Sequence, residues 1–276
     1  MNTRQNLHTH TTYCDGKNTN EEMILAAIER GFGAIGISGH SYMHFSPYLS
    51  KTQDDTADYK KEIRALAARY QDRIDVFCGI EYEYYSDIDL RGFDYTIASV
   101  HYLHIGSEYV GFDRSAEEVR RVIDTYFGGD GMRYARAYYE LLATLPSRGK
   151  FDIIGHIDLI CKHAETHPEY FDVDCKQYKG YVCEALDALK GKIPLFEVNT
   201  GAIARGYRTT PYPMPFILRE LRARGFGAII SSDCHDARYL DCHFKESEKL
   251  LAECGFKEKY ILTKSGFIAV PLEAAI

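Results

Sequence analysis

The chain has 276 residues, of which 45% are hydrophobic and 26% charged, enough for one well-buried core. No apolar run reaches the roughly 18 residues that a membrane helix needs, so no membrane span is expected. A formal charge of −7 disfavours nonspecific binding to nucleic acid, which needs a dense basic face.

Eight cysteines are spread along the chain without CxxC spacing, which argues against a disulfide framework or zinc ribbon and reads as reduced thiols. The polar start is not a secretory signal, so a soluble cytoplasmic enzyme is the expectation.

In chain order, a first strand-like run over residues 5–7 opens into His8-Thr9-His10. Residues i and i+2 of a strand face the same way, so His8 and His10 share a face. A helix follows over 20–30, with Thr19 or Asn20 as its cap, Glu21 and Glu22 in its first turn and Gly31 at its end. The run 34–39 ends in His40, and after a helix over 56–70 the run 74–80 ends in Glu81. The run 95–100 ends in His101, helices cover 116–126 and 132–145, and 151–155 ends in His156. A helix over 175–189 precedes the run 193–198, which ends in Asn199. A helix over 213–224 leads to the run 226–232, which closes on Asp233-Cys234-His235, where Asp233 and His235 share a face. A helix over 246–254 and a peripheral closing hairpin or strand over 259–270 complete the chain.

One His pair alone is more often a hydrogen-bonded core feature than a metal site. Here, however, run after run ends in an imidazole or an acid. Packing would not choose that, whereas ligands from parallel strands converge at the C-terminal rim of a (β/α) barrel. Seven runs with polar mouths, and no composition break, point to an irregular barrel of seven units in a single domain over 1–276.

The motifs His8-x-His10 with Asp15-Gly16, Gly39-His40, Glu81, Ser99-Val-His101, Gly155-His156-Ile-Asp-Leu159, Glu197-Val-Asn-Thr200 and Ser232-Asp233-Cys-His235 together resemble the polymerase and histidinol phosphatase (PHP) superfamily, within it the histidinol-phosphatase branch. The resemblance spans nearly the whole chain. It implies an α/β fold, a distorted (β/α)7 TIM-like barrel, with a di- or trinuclear metal centre at the strand mouths. The implied ligands are His8, His10, Asp15, His40, Glu81, His101, His156, Asp233 and His235. Where many members carry histidine this chain has Asp15, a harder donor.

Nine ligands exceed the needs of one ion and suit two or three divalent ions if Glu81 or Asp233 bridges. An imidazole-rich mixed set favours zinc, iron or manganese over magnesium. A hydroxide bridging two such ions would attack phosphorus in line, since the pKa of bound water falls toward about 7 from about 15.7 in bulk. The leaving alkoxide needs a proton or a third metal, and Asp233 or His101 could assist.

Beyond the metals, a phosphate dianion calls for cationic partners, and Arg205 and Arg208 lie in the loop 201–208. Arg205 resembles the arginine found after the family's E-x-N-T motif. Lys162 is a further candidate, and His44 and His104, which read first as surface groups, follow ligand strands closely enough to line a pocket. His163, His167 and His243 read as surface groups and Cys234 as core. Tyr82, Tyr84 and Tyr85 could stack on a flat substrate ring or simply pack, and Glu83 or Asp87 could pair with a substrate amine.

Metals plus arginine point to a phosphomonoesterase acting on a small-molecule phosphate. The resemblance alone supplies the substrate, L-histidinol phosphate, split to L-histidinol and phosphate in histidine biosynthesis. Two rivals use similar centres. A nucleotide or nucleic-acid-end phosphoesterase would want stacking platforms and a basic track. An amidohydrolase would place a bridging lysine where Glu81 stands. A metal-storing or metal-sensing barrel would have no use for an arginine-bearing loop beside the ions.

Overall fold

Parallel strands buried on both faces are written as short, nearly continuous apolar runs, and this chain contains seven of them. The computed structural model describes residues 2–46 and 53–273. Its elements run β1 (Gln5–Asn6), α1 (Asn20–Glu29), β2 (Ala34–Ile37), α2 (Gln53–Tyr70), β3 (Asp75–Glu83), β4 (Tyr95–Ser99), β5 (Tyr102–Ile105) and β6 (Glu108–Gly111). There follow α3 (Ala116–Phe127), α4 (Gly131–Ala143), β7 (Ile153–Ile154), α5 (Lys176–Leu189), β8 (Leu195–Asn199), α6 (Gly201–Ala204), α7 (Pro215–Ala223), β9 (Gly227–Ser231), α8 (Phe244–Glu253), β10 (Glu258–Thr263) and β11 (Gly266–Pro271).

Strands β1, β2, β3, β4, β7, β8 and β9 pair in that order, all parallel. The ring closes just beyond β1 and β9, where His10 N donates to Cys234 O at 2.8 Å and Cys234 N to His8 O at 3.1 Å. The result is the expected seven-stranded barrel with helices around it.

Period two in β3 sorts its side chains. Val76 and Cys78 pack outward against α1 and α2, and Ile80 and Tyr82 outward against the larger helical core. Phe77, Gly79, Glu81 and Glu83 therefore share the inner face. Phe77 joins Leu7, Tyr95, Ile97, Ile153 and Ile229 in the plug that fills the barrel. The hairpin β10–β11 seals the end opposite the site. Gln5 Nε2 donates to Leu262 O at 2.8 Å, and Leu262 N to Gln5 Oε1 at 2.7 Å.

Tyr95 crosses the plug, its hydroxyl bonded to Leu7 O. Two glycines make room: a Cβ on Gly36 would lie 2.0 Å from the Tyr95 hydroxyl oxygen, and one on Gly79 2.1 Å from the ring carbon bearing it. Gly36→Ala is therefore expected to cost about 1–3 kcal/mol by overpacking, seen as a lower urea midpoint. Adding Tyr95→Phe, which removes the nearest atom, should recover part of that loss, and strictly additive effects would refute this account.

Helix starts follow local chemistry. Thr19 caps α1 in a reciprocal box with Glu22, and Ser115 does the same for α3 with Glu118. Gly31 takes φ +70° after α1. Three features depart from the sequence expectation. Residues 102–111 form the hairpin β5–β6 beside the barrel mouth. Helix α7 starts at Pro215, because the preceding segment is held to Asn199: Tyr212 N donates to Asn199 O at 2.9 Å and Asn199 N to Tyr212 O at 2.8 Å. Strand β9 ends at Ser231, and Asp233 has φ +47°, so its direction is set by a left-handed turn and not by strand alternation.

Candidate metal centre

The inner face of β3 carries its register past Phe77 and Gly79 to Glu81, which stands fully buried at the middle of the barrel mouth. Its Oε2 lies 2.8 Å from His40 Nδ1, 3.3 Å from His8 Nε2 and 3.5 Å from His10 Nε2. Its Oε1 lies 3.0 Å from His156 Nε2 and 3.7 Å from His101 Nε2, and accepts from Ser99 Oγ at 2.7 Å. Ser99 reaches it because Gly155 has no Cβ, which would sit 2.4 Å from that hydroxyl.

Asp233 approaches from the opposite side. Its Oδ1 is 3.2 Å from His10 Nε2 and 3.8 Å from His8 Nε2. Asp15 Oδ1 lies 3.2 Å from His235 Nε2 and 3.7 Å from His40 Nε2. Gly16 fixes that turn: a Cβ there would meet the His10 carbonyl at 2.4 Å. All nine residues expected from the motifs thus converge. They fall into overlapping groups whose donor atoms lie within 4.8 Å of one another: His8, His10 and Asp233; Glu81, His101 and His156; His10, Asp15, His40 and His235; and, with Glu83 added, His40, Glu83 and His101.

The donor set fits divalent ions. His8 Nε2, His10 Nε2 and Glu81 Oε2 are buried without a hydrogen-bond partner among the described residues, a costly arrangement unless a cation completes it. Mixed imidazole and carboxylate donors suit zinc, iron or manganese. A second ring of acids orients the imidazoles. Glu197 Oε2 sits 2.8 Å from His8 Nδ1 while its Oε1 accepts from His156 N at 2.7 Å, and Glu83 Oε1 contacts His101 Nδ1. Such partners fix which ring nitrogen faces a metal. The sequence reading missed both roles, although Glu83 follows Glu81 at the period of two.

The electrostatics of the metal-free cluster are divided. Burial alone would raise Glu81, but His40 and His8 hold it well below the carboxylate range. Burial would also raise Asp233, and Arg205 and His8 hold it well below that range. Burial, with His235 and His40 beside it, takes His10 down to about 3. Burial, opposed by Glu81 and aided by His156 and His40, takes His101 to about 3. Asp233 is thus held toward its carboxylate form, and His101 turns Nδ1 to Glu83.

A cavity of about 440 Å³ opens over the cluster, bounded by Asp15, His101, Asp113, Lys162, Arg205 and Tyr207 among others. Arg205 Nη2 donates to Asp233 Oδ2 at 3.1 Å, and Nη1 lies 3.2 Å from both Asp233 O and His235 Nδ1. Lys162 pairs with Asp113 and lies 4.1 Å over the Tyr207 ring.

Several expected contacts lie elsewhere. Arg208 is buried, donates through Nη1 to Cys161 O at 3.0 Å and covers the Tyr212 ring, so it braces two loops and does not face the cavity. His44 and His104 pack against Tyr109 outside the cavity wall. His163 is buried, with Nε2 2.8 Å from Arg114 O, and is not a surface group. Tyr82 packs on Phe151, and the Tyr85 hydroxyl accepts from His104 N. Glu83 is sealed beneath His101 and Asp87 is bound to Arg148, so neither is free for an amine in the cavity. Asp113, Arg114, Tyr102 and Tyr207 were not anticipated. They come from the unforeseen hairpin and from loops with no periodic signal.

Residues 6–201 match the PHP domain family. Two relatives, each named "Probable histidinol-phosphatase", come from Deinococcus radiodurans and Schizosaccharomyces pombe. The first is 27% identical over 90% of this chain and 92% of its own, and the second 25% identical over 88% and 84%. The histidinol phosphate phosphatase of Lactococcus lactis, solved with zinc, L-histidinol and phosphate, superposes with a TM-score of 0.72 at 21% identity, covering 96% of this chain and 99% of that one.

Proposed function

Because this chain belongs to the PHP domain family, we propose that it is a metal-dependent phosphomonoesterase that hydrolyses L-histidinol phosphate to L-histidinol and phosphate. The observation that carries this reading is the position of Arg205, whose guanidinium rests on Asp233 and His235 at the edge of the ligand cluster and faces the same cavity. A cationic fork beside a polynuclear site suits a phosphoryl group and has no use in a site built for an amide. The curated relatives, matched along most of their length, carry the same activity in their names.

His8, His10 and Asp233, then Glu81, His101 and His156, then Asp15, His40 and His235 would hold two or three divalent ions. Ions bound there supply an acidified water as nucleophile near neutral pH and positive charge against the phosphoryl oxygens. The protein's own groups do the rest. Glu81 presents one oxygen to each half of the cluster, while Glu197 and Glu83 keep His8 and His101 turned toward it. Arg205 and Lys162 stand ready for the non-reacting phosphoryl oxygens. Asp233 and His101 stand among the ligands, with His101 oriented by Glu83. Arg208 braces the adjoining loops through Cys161 O and the Tyr212 ring.

The volume of the cavity suits a small monoester. Among the described residues no helix is long and apolar enough to cross a membrane, and we take the enzyme to be a cytoplasmic one of amino-acid biosynthesis.

Phosphate release from L-histidinol phosphate, set against nucleoside 3′,5′-bisphosphates and an amide panel, tests the assignment. Histidinol phosphate should be the best substrate by at least about tenfold in kcat/KM. Exhaustive chelation should abolish turnover, with recovery on adding zinc or manganese. Faster turnover of a nucleotide, or activity that survives chelation, would overturn it.

A further inference from the structure

L-Histidinol phosphate carries an ammonium on the carbon next to the phosphoester carbon. A site that grips the phosphate must therefore deal with a positive charge close beside it. The rim is already rich in positive charge, with Arg114, Lys162 and Arg205 all on the cavity wall. Without an anion there, that rim would repel the amine. Resting on the functional reading above, we propose that Asp113 receives the substrate's ammonium group and sets the preference for an amino alcohol phosphate.

Three observations carry the assignment. Of the carboxylates facing the cavity, Asp15 and Asp233 lie within the ligand groups, and among the described residues only Asp113 does not. Its position is fixed at the metal end of the cavity, because the preceding residue bonds back to a ligand: Phe112 N donates to His101 O at 2.7 Å. The charge of Asp113 is answered in the free protein by Lys162, whose ammonium sits on its Oδ1 and over the Tyr207 ring.

A zwitterionic substrate matches that pair. Its phosphate dianion turns Lys162 and Arg205 toward itself, and its ammonium takes the place of Lys162 on Asp113. No ion is left unpaired in a half-buried site when the partners exchange. Burial would raise the Asp113 carboxyl, but Lys162 and Arg205 hold it below its ordinary value, so it remains an anion in the working range. The rings of Tyr102 and Tyr207, on the same wall, offer flat faces for the imidazole.

The test compares L-histidinol phosphate with 2-(imidazol-4-yl)ethyl phosphate, which lacks the aminomethine carbon and hence the amine, on the metal-loaded enzyme. Asp113→Asn should raise KM for the amine substrate about tenfold or more with kcat within about threefold. It should leave the amine-free ester unchanged or improved, because Lys162 is released. Asp113→Glu should restore part of the discrimination, and Lys162→Ala should weaken the amine-free ester more than the amine substrate, whose ammonium no longer has to displace Lys162 from Asp113. Equal losses on the two substrates in Asp113→Asn would mean that Asp113 merely positions Lys162, and would overturn the assignment alone. A wild-type enzyme inert toward both but active on other monoesters would overturn the functional reading and this assignment with it.

Discussion

Glu81→Gln should lower kcat for phosphate release by about a thousandfold or more and leave the purified protein short of at least one metal ion per chain. Glu81 turns its two oxygens to the imidazoles of different halves of the cluster, Oε2 toward His8, His10 and His40 and Oε1 toward His156 and His101. The amide keeps the shape but loses the charge, and turns an N–H₂ toward one group of imidazoles. Ser99 Oγ donates to Oε1, which favours placing the amide oxygen there and the N–H₂ against His8, His10 and His40, where an ion would sit. Metal analysis of the intact folded protein, alongside turnover with saturating zinc or manganese, checks the expectation. Near-normal turnover with a full metal complement would remove Glu81 from the centre of the mechanism.

The legible part of the site was the part written in short periods. His8 and His10, and Glu81 within the longest barrel strand, follow from alternation and from where an apolar run stops. So did the number of barrel strands, because each central parallel strand must be apolar on both faces. Glu83 was equally available on the face of Phe77, Gly79 and Glu81, yet in the sequence it reads as a partner for a substrate amine, because nothing there shows that the strand runs on to it. Arg205 and Arg208 look alike as charges in one loop. Only the fold separates them, by turning Arg208 onto Cys161 O and the Tyr212 ring and leaving Arg205 over the cluster. Asp113 and Tyr207 gave no local signal, since their proximity to the ligands depends on contacts between residues far apart in the chain. The kink at Asp233 was also hidden. The sequence suggested strand alternation for Asp233 and His235, whereas the structure reaches a common direction through a residue at φ +47°.

That kink is tolerated because the space around it is kept clear. A Cβ on Gly201 would lie 2.9 Å from Asp233 Cβ and 3.0 Å from Arg205 Nη2, so glycine at the start of α6 lets the carboxylate and the guanidinium meet. A guanidinium has five N–H groups. Arg205 commits two, to Asp233 Oδ2 and Asp233 O, and the others are left for phosphoryl oxygens. Arg205→Ala is therefore expected to reduce kcat/KM for the phosphate ester by about 100- to 1000-fold. Metal content should be kept, because all nine candidate ligands remain. Arg205→Lys should fall between, since a point charge supplies attraction without the planar fork. Steady-state kinetics and metal analysis on the same preparations read both quantities. Unchanged kinetics would deny Arg205 any part in holding phosphate. Loss of metal in parallel with activity would reassign it to the support of Asp233 and His235.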